Sequence, residues 1–299
     1  MPELPDVAVY LEALQERVLG ARLLKLTLGS PFILRSVSPA PAELVGKRVI
    51  GLRRLGKRIV LAFEGELSAV IHLMIAGRLH FFDRGAKRSG RKALFAFEFE
   101  TGTLTLTEAG TKRRASLALV RGEAGLAEHD PGGVEPLEID AAELARVLRA
   151  ANHTLKRALT DPRLLSGIGN AYSDEILHRA RLSPVALTQK LDDASYARLH
   201  AAMQAVLHEW IERLRAQAGE EFPEKVTAFR PEMAVHGRYR EPCPDCGAPV
   251  QRIVHAENET NYCARCQTGG KLLADRALSR LLKSDWPKTL EELEALRSR

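Results

Sequence analysis

The chain has 299 residues, more than the roughly 100–200 of a typical single domain, so we expect at least two domains. Hydrophobic residues make up 45% of it, enough for buried cores, yet no segment approaches the ~18 consecutive apolar residues of a membrane span. The N-terminus lacks a secretion signal, so we expect a cytoplasmic protein without a membrane partner. A formal charge of +6 favours a polyanion such as nucleic acid, although ribosomal and membrane-surface proteins share this balance.

The first six residues, MPELPD, place a proline directly after the initiator methionine. Removal of Met1 is usual before a small residue, and it would leave Pro2 with a secondary α-amine. The pKa of an α-amine is about 8, so part of it is unprotonated at neutral pH and can form a Schiff base. Glu3 would stand beside it as an acid. The alternative is that Pro2 and Pro5 only introduce a helix, because apolar residues then recur at helical spacing, at Val7, Leu11, Leu14 and Val18.

Short β-rich runs extend from Leu23 to about Val120, separated by glycine and charged residues. They predict a sandwich of antiparallel strands, which with the leading helix forms a domain over residues 1–125. Within them, the ETGT stretch predicts a hairpin turn in which Gly102 supplies a positive φ. A stretch rich in glycine and acidic residues then predicts a linker over 126–140.

After the linker the apolar period becomes helical, which predicts a helical domain over 141–235 with a long amphipathic helix from about Ser195 to Ala218. A cysteine segment over 236–270 and a charged, helical tail over 271–299 follow. The expected fold class is therefore α+β.

All four cysteines lie close together near the C-terminal end, at Cys243, Cys246, Cys263 and Cys266. The spacing C-x2-C-x16-C-x2-C offers four thiolates to one tetrahedral Zn²⁺, with a two-stranded hairpin between the pairs. Because four protein ligands leave no vacant position, we expect one structural zinc per chain. Redox or disulfide use is the alternative, which a reducing cytoplasm disfavours.

Two glycine motifs have an ordinary structural interpretation beside a functional one. SGIGNAYSDEIL predicts a glycine turn that leads into a helix near Asn170. Such a helix start can bind phosphate, although the motif taken alone is more often an ordinary loop with a cap. Lys57 follows Gly56 at the start of a predicted strand, where a lysine is ordinarily a solvated strand end.

Two loops could contact DNA or be ordinary loops. Met74 and Ile75 precede a glycine turn and could insert between bases, although such residues are more often core. TKRRAS, residues 111–116, could contact phosphates or be a solvated run of charge.

Together these motifs resemble the bacterial formamidopyrimidine-DNA glycosylase and endonuclease VIII family of base-excision repair enzymes. The resemblance lies in PELPDV, in Lys57, in GIGNAYSDEIL, which is similar to the family's helix–two-turn–helix element, and in VHGR before the cysteines. It runs from Pro2 to about Gln267. It implies an N-terminal antiparallel β-sandwich flanked by helices, then a helix–two-turn–helix domain with a zinc-finger hairpin. It also implies a DNA glycosylase with abasic-site lyase activity, acting on oxidised bases in double-stranded DNA without a small-molecule cofactor, and we expect a monomer.

The resemblance implies a role for each matching residue. Pro2 would attack C1′ of the damaged nucleoside, Glu3 would protonate the sugar ring oxygen, and Lys57 would bind a phosphate and assist proton transfer. Asp6 and Glu175 would lie in the pocket for the base, which would be flipped out of the stack. The other implied DNA contacts are Met74, Ile75, Lys92, Lys112, Arg113, Lys156 and Asn170.

Two loops depart from the family pattern. EAGTKRRA, residues 108–115, lacks the family's intercalating aromatic residue, so Arg113 or Arg114 would have to serve with Met74 or Ile75.

In the zinc hairpin, Asn258 stands where the family carries an arginine that enters the DNA and assists the last elimination. A neutral side chain cannot neutralise a phosphate, so we predict a slow second elimination unless Arg252, Arg265 or Arg113 substitutes.

A milder departure is Asp6, which replaces the usual glutamate, and the tail after Gln267 lies outside the resemblance. Two other function classes compete with the enzyme. A non-catalytic lesion-binding protein of the same fold would not need Pro2, Glu3 and Lys57 together. A plain zinc-ribbon nucleic-acid binder would leave PELPD and GIGNAYSDE unexplained.

Overall fold

The computed structural model describes residues 1–85, 93–109, 113–224, 230–255, 258–274 and 287–297. The chain divides into two compact units. Unit 1 comprises Met1–Gly133 and Glu209–Ala228, and unit 2 comprises Val134–His208 and Phe229–Arg299. The predicted five-part division is finer than this and stays a prediction. Every helix within the described ranges is too short or too polar to cross a membrane.

Unit 1 begins with helix α1 (Leu4–Val18), as the spacing of its apolar residues predicts. Eight strands follow: β1 (Leu23–Leu28), β2 (Val49–Leu55), β3 (Arg58–Phe63), β4 (Leu67–His72), β5 (Gly77–Asp83), β6 (Phe95–Phe99), β7 (Gly102–Glu108) and β8 (Ser116–Arg121). Short 3₁₀ helices lie at Pro31–Ile33 and Pro41–Leu44, and α2 (Gly122–Ala127) follows β8. The strands form two four-stranded antiparallel sheets, ordered β1-β6-β7-β5 and β2-β3-β4-β8, which confirms the predicted sandwich.

One apolar core fills unit 1, where alternate residues of both sheets meet the inner face of α1. Tyr10 and Leu14 of α1, Phe63 of β3 and Phe97 of β6 are all completely buried in it. Burying one such side chain stabilises a fold by roughly 1.5–3 kcal/mol, so this core holds the first turn of α1 firmly in place.

Two details of unit 1 differ from the sequence prediction. The sequence does not mark β2 as one of the β-rich runs, because Gly51, Arg53 and Arg54 interrupt its apolar pattern. It is an edge strand, which needs less apolar surface than a central one. α2 covers the first two residues of the predicted linker over 126–140, and its Leu126 is buried against the outer face of β3, β4 and β8.

The predicted hairpin over residues 100–103 is confirmed, because β6 and β7 pair antiparallel on either side of it. The predicted reason is wrong, since Gly102 does not have a positive φ. A Cβ at this position would instead lie 2.5 Å from the carbonyl oxygen of Phe82 and 2.7 Å from the ring of Phe81. Glycine is needed here for close approach of the neighbouring strand.

Unit 2 contains the predicted helices and zinc hairpin. The elements are α3 (Ala141–Arg149), α4 (Leu155–Thr160), α5 (Asn170–Arg179), a 3₁₀ helix Thr188–Lys190, α6 (Asp193–Ala218), β9 (Gln251–His255), β10 (Asn258–Tyr262), α7 (Ala264–Thr268) and α8 (Leu290–Arg297). Residues of α6 from Glu209 onward belong to unit 1. β9 and β10 pair antiparallel, as the cysteine spacing predicts. α5 begins immediately after a glycine turn in which Gly167 has φ 83°.

Candidate active site and zinc centre

The N-terminal residues of unit 1 are buried. Pro2 is buried, and the carboxylate-bearing residues Glu3 and Asp6 are 2% and 3% exposed. The backbone N–H of Glu3 donates to Asp6 Oδ2 at 2.9 Å, which satisfies an amide that the start of α1 would otherwise leave unpaired. The spacing of Glu3 and Asp6 therefore places two carboxylates beside the chain terminus.

Charged groups from three parts of unit 1 surround the terminal amine of Met1. Burial lowers the pKa of this amine, Arg78 and Lys57 lower it further, and the carboxylates of Glu3 and Asp6 oppose the shift. A lowered pKa increases the unprotonated, nucleophilic fraction of an amine at neutral pH. The structure thus brings the predicted residues Glu3 and Lys57 together at the N-terminus.

Lys57 occupies the turn between β2 and β3. The sequence analysis missed His72, whose pKa Lys57 affects, and Arg78, which acts on the terminal amine. His72 ends β4 and pairs in register with Arg58. Burial, assisted by Arg58 and Lys57, lowers the pKa of His72 to about 4, so the imidazole is neutral at pH 7. The sequence feature that could have indicated His72 and Arg78 is their position on either side of the predicted glycine turn.

Met74 and Ile75 lie in that turn, which connects β4 in one sheet to β5 in the other. Met74 has φ 53°, a conformation that costs a non-glycine residue energy and is found mostly where the surrounding structure imposes it. A Cβ on Gly77 would lie 2.3 Å from the carbonyl oxygen of Leu73, so only glycine closes this turn. Ile75 is 58% exposed at the tip, as insertion between bases would require.

The second predicted DNA loop follows β7. Arg113 and Arg114 are exposed, and the carboxylate of Glu108 accepts hydrogen bonds from the amides of Arg114 and Ala115 at 3.0 and 3.1 Å. Glu108 therefore fixes the point at which the loop returns to β8. The predicted contacts Lys92 and Lys112 lie outside the described residues.

In unit 2, Asn170 is the first residue of α5, and its Nδ2 donates to the carbonyl oxygen of Glu259 in β10 at 2.8 Å. Lys156 of α4 donates to the carbonyl oxygen of Asn170 at 2.7 Å and to Asp174 Oδ1 at 2.5 Å. An ammonium has three donors, and two of those of Lys156 hold it at the start of α5.

Asp174 connects this helix start to the zinc hairpin. Its side chain is completely buried, and its second oxygen, Oδ2, lies 2.8 Å from His236 Nδ1 and 3.1 Å from the backbone N–H of Asn261. A buried carboxylate requires such partners because its desolvation is costly. One side chain therefore holds Lys156, His236 and β10 together.

Glu175, predicted in the base pocket, has contacts that favour a positioning role. Its two oxygens accept hydrogen bonds from the backbone amides of Ala234, Val235 and His236 at 2.7, 2.9 and 2.9 Å, and the residue is 6% exposed. These bonds hold the segment that leads to the first cysteine pair. Contact of Glu175 or Asp6 with a base stays a prediction.

The four cysteine sulfurs all lie within 4.8 Å of one another. The Sγ atoms of Cys243 and Cys266 are 3.9 Å apart, and those of Cys246 and Cys263 are 3.4 Å apart. A tetrahedral zinc with Zn–S bonds of about 2.3 Å places its sulfurs about 3.8 Å apart, so the donor set fits this ion. Burial raises the pKa of the Cys263 and Cys266 thiols, and a bound cation would keep them ionised.

His178 of α5 supports the metal site, and the sequence analysis missed it. It is buried, and its Nε2 lies 3.3 Å from Cys243 Sγ. Burial lowers the pKa of His178, and a neutral imidazole can donate its N–H to a metal-bound thiolate. No local signal marks this residue, since 65 positions separate it from Cys243.

Three family models match the chain in order. They are the formamidopyrimidine-DNA glycosylase N-terminal domain over residues 1–116, the formamidopyrimidine-DNA glycosylase H2TH domain over 133–219, and the zinc finger found in FPG and IleRS over 240–269. The formamidopyrimidine-DNA glycosylase of Heliobacterium modesticaldum is 33% identical over 282 residues, which cover 89% of this chain and 100% of that protein. The chain belongs to the formamidopyrimidine-DNA glycosylase family. The zinc-finger match and the clustered cysteines together support a structural zinc.

Other relatives agree. The formamidopyrimidine-DNA glycosylase of Thermus thermophilus is 33% identical over 281 residues, which cover 90% of this chain and 100% of that protein. A Mycobacterium tuberculosis protein described as an uncharacterized formamidopyrimidine-DNA glycosylase-like protein is 43% identical over 152 residues, which cover 50% of this chain and 94% of that protein.

Solved structures confirm the family fold. A Lactococcus lactis FPG mutant bound to Fapy-dG containing DNA matches with a TM-score of 0.78 and 25% identity, covering 89% of this chain and 100% of that chain. Wild-type Lactococcus lactis FPG bound to DNA that contains an oxidized pyrimidine matches equally well, with the same TM-score, identity and coverage.

Proposed function

We propose that this family member is a bifunctional DNA glycosylase and abasic-site lyase that excises oxidised bases from duplex DNA through a Schiff base on Pro2. The observation that carries the proposal is the geometry of the N-terminus, where Pro2 is buried beside the buried carboxylates of Glu3 and Asp6, and the charges of Lys57 and Arg78 reach the chain terminus. Relatives bound to Fapy-dG and to an oxidized pyrimidine support oxidised bases as the substrate class.

The reaction requires removal of Met1, because until then the Pro2 nitrogen is an amide. The unprotonated amine of Pro2 then attacks C1′, and the glycosidic bond breaks with its electron pair going to the base, which takes up the amine proton. Glu3 donates a proton to O4′ as the C1′–O4′ bond breaks, and the nitrogen lone pair completes the iminium. The burial of Glu3 supports an acid that exchanges protons with substrate rather than solvent.

Two eliminations follow from the iminium. In the first, water takes up the C2′ proton while the C3′–O bond breaks, which releases the phosphate on the 3′ side of the sugar and leaves a 3′ unsaturated aldehyde on the other strand end. In the second, water takes up the C4′ proton while the C5′–O bond breaks, which leaves a 3′ phosphate on that strand end. Lys57 would neutralise a leaving phosphate near the amine, and Lys156 and Asn170 would bind the DNA backbone. Water hydrolyses the iminium and restores the Pro2 amine.

Borohydride trapping of the full-length chain tests the proposal. The substrates are duplexes that carry an oxidised purine, an oxidised pyrimidine or an abasic site, and mass spectrometry of the preparation establishes whether Met1 is absent. Reduction should yield a protein–DNA adduct whose cross-linked peptide begins at Pro2.

The control is the same chain with an extra N-terminal residue, which should bind the duplexes but give no adduct. An equal amount of adduct from this blocked chain would show that the nucleophile is another group. Binding without any adduct from the processed chain would favour a non-catalytic lesion-binding protein.

A further inference from the structure

The chain continues for 30 residues beyond the last family model, which ends at residue 269. We call residues 240–269 the zinc module, and the described residues beyond it, 270–274 and 287–297, the C-terminal clasp. The sequence analysis had no function for this tail.

The two parts of the clasp are held to each other by backbone hydrogen bonds. Lys271 and Thr289 form an antiparallel bridge. The amide of Leu272 donates to the carbonyl oxygen of Lys288 at 2.8 Å, and that of Leu290 to the carbonyl oxygen of Gly270 at 3.1 Å. These bonds join the two described parts of the clasp close after α7, the helix that carries Cys266.

Side chains of the clasp enter the core of the zinc module. Leu272 and Leu290 are 7% and 2% exposed, and they lie in the same buried cluster as Val250, Ile253 and Tyr262. The remaining buried members of this cluster are Val235, Cys243, Ala248, Cys263 and Ala264. Apart from clasp residues, this cluster contains few large side chains, so the clasp supplies a substantial part of its apolar volume.

A polar contact connects the clasp to β10. The amide of Leu273 donates to the hydroxyl oxygen of Tyr262 at 2.8 Å, and Tyr262 is 1% exposed. A buried hydroxyl without a partner is destabilising, so this bond matters to the strand. Tyr262 lies between Asn261, which donates to Asp174, and the zinc ligand Cys263. β10 is therefore held at Asn261 by Asp174 and at Tyr262 by the clasp.

We propose that the C-terminal clasp completes the core of the zinc module, slowing zinc loss and positioning β10, with Leu272, Leu290 and Tyr262 as positioning residues. A module of about 30 residues cannot bury enough apolar surface alone, and metal coordination usually supplies the difference. In this chain the clasp adds apolar burial to the metal. The inference concerns zinc retention and is independent of the proposed lyase chemistry.

Zinc release from the full-length protein to a chromophoric chelator tests the clasp. Leu290→Asp should release zinc at least about tenfold faster than wild type, because it places a charge in the shared core. Tyr262→Phe, which removes only the hydroxyl, should release it about threefold faster. Lys288→Ala alters an exposed side chain of the clasp and should match wild type.

Amide hydrogen exchange gives a second readout, because exchange in β10 should accelerate with Leu290→Asp while β3 and β4 stay protected. If Leu290→Asp does not fold, a chain ending at Gly270 and Tyr262→Phe provide the same test. If Tyr262→Phe and the shortened chain both release zinc and exchange the amides of β10 at the wild-type rates, the proposal is wrong. Failure of borohydride trapping would leave these measurements unaffected.

Discussion

The β-sandwich of unit 1 and the zinc module of unit 2 hold their functional residues by different means. The sandwich encloses one apolar core in which Phe63, Phe95 and Phe97 are completely buried, and its candidate catalytic residues lie at the margins of that core. The zinc module has a small core and depends on four thiolates, the clasp and the carboxylates of Asp174 and Glu175.

The difference follows from size. A sandwich of eight strands buries enough apolar surface to be stable while polar residues at its margin change. A module of about 30 residues relies on directional bonds, each of which also positions a neighbouring group. Substitutions should therefore separate function from folding in unit 1 and couple them in the zinc module.

The largest expected effect is loss of function without loss of fold in unit 1. Glu3→Gln keeps the side-chain volume but removes the proton donor, so base excision should fall by about 10³-fold while thermal unfolding is nearly unchanged. Some cleavage at pre-formed abasic sites should remain. Gel assays of excision and abasic-site cleavage measure the two steps separately.

The matched control is Glu16→Gln, on the exposed side of the same helix, where the carboxylate is 75% exposed. It should excise bases as wild type does. Wild-type excision by Glu3→Gln would remove Glu3 from the role of acid.

Zinc removal tests the zinc module in the same way. Chelation should unfold β9 and β10 and weaken DNA binding at least about tenfold, because the hairpin loses its principal support. Unit 1 should retain its structure, which hydrogen exchange in β3 and β4 would show. Metal analysis of chelator-free protein should find one zinc per chain. Unfolding of unit 1 on chelation would show that the stability of unit 1 depends on the zinc module.

Asp174→Asn should destabilise unit 2 strongly. Removing the charge leaves Lys156, 13% exposed, beside a neutral amide, and breaking a buried ion pair costs about 3–5 kcal/mol of unfolding free energy. Asp193→Asn, which breaks the pair of Arg149 with a 90% exposed carboxylate, should cost less than about 1 kcal/mol. Urea unfolding compares the two variants, and equal losses would show that Asp174 does not connect the parts of unit 2.

Acid should weaken unit 1 through His72. In the unfolded chain this imidazole has its ordinary pKa of 6.5, whereas in the folded protein burial lowers the pKa to about 4. As pH falls from 6.5 to about 4, the unfolded state binds a proton that the folded state does not. The free energy of unfolding is therefore highest above pH 6.5, and it should fall by about 3 kcal/mol in all as the pH drops to about 4.

His72→Gln should flatten this pH dependence, and His208→Gln, at an exposed position in unit 2, should preserve it. Urea unfolding of unit 1 at a series of pH values makes the comparison. The same slope in wild type and His72→Gln would assign the acid sensitivity to other groups.

The smallest expected effect concerns the hairpin position Asn258. Arg252, a candidate substitute cation, already contacts Glu259 at 3.2 Å and lies 4.3 Å from the ring centroid of Tyr239. We therefore expect wild type to accumulate the 3′ unsaturated aldehyde before the 3′ phosphate. Asn258→Arg should speed the second elimination a few-fold more than the first, whereas Asn258→Gln should not. A wild-type enzyme that yields only the 3′ phosphate at the earliest times would show that another cation serves.

Local patterns in the sequence determined much of this protein. The spacing of the four cysteines predicted the metal site, the apolar period after Pro5 predicted α1, and short β-rich runs between glycines and charged residues predicted most of the strands. The order of PELPDV, Lys57 and GIGNAYSDEIL indicated the family. These inferences succeed because each depends on residues that are close in sequence or on chemistry that belongs to the residue type itself.

Tertiary structure alone decided which groups support those motifs. Asp174 and Asn261 are 87 positions apart, and His178 and Cys243 are 65 apart, so no local period encodes either contact. The close approach at Gly102 and the packing of Leu290 likewise depend on neighbours supplied by other elements. Burial, which sets the pKa of His72 and requires partners for Asp174, is a property of the assembled core and not of the sequence around each residue.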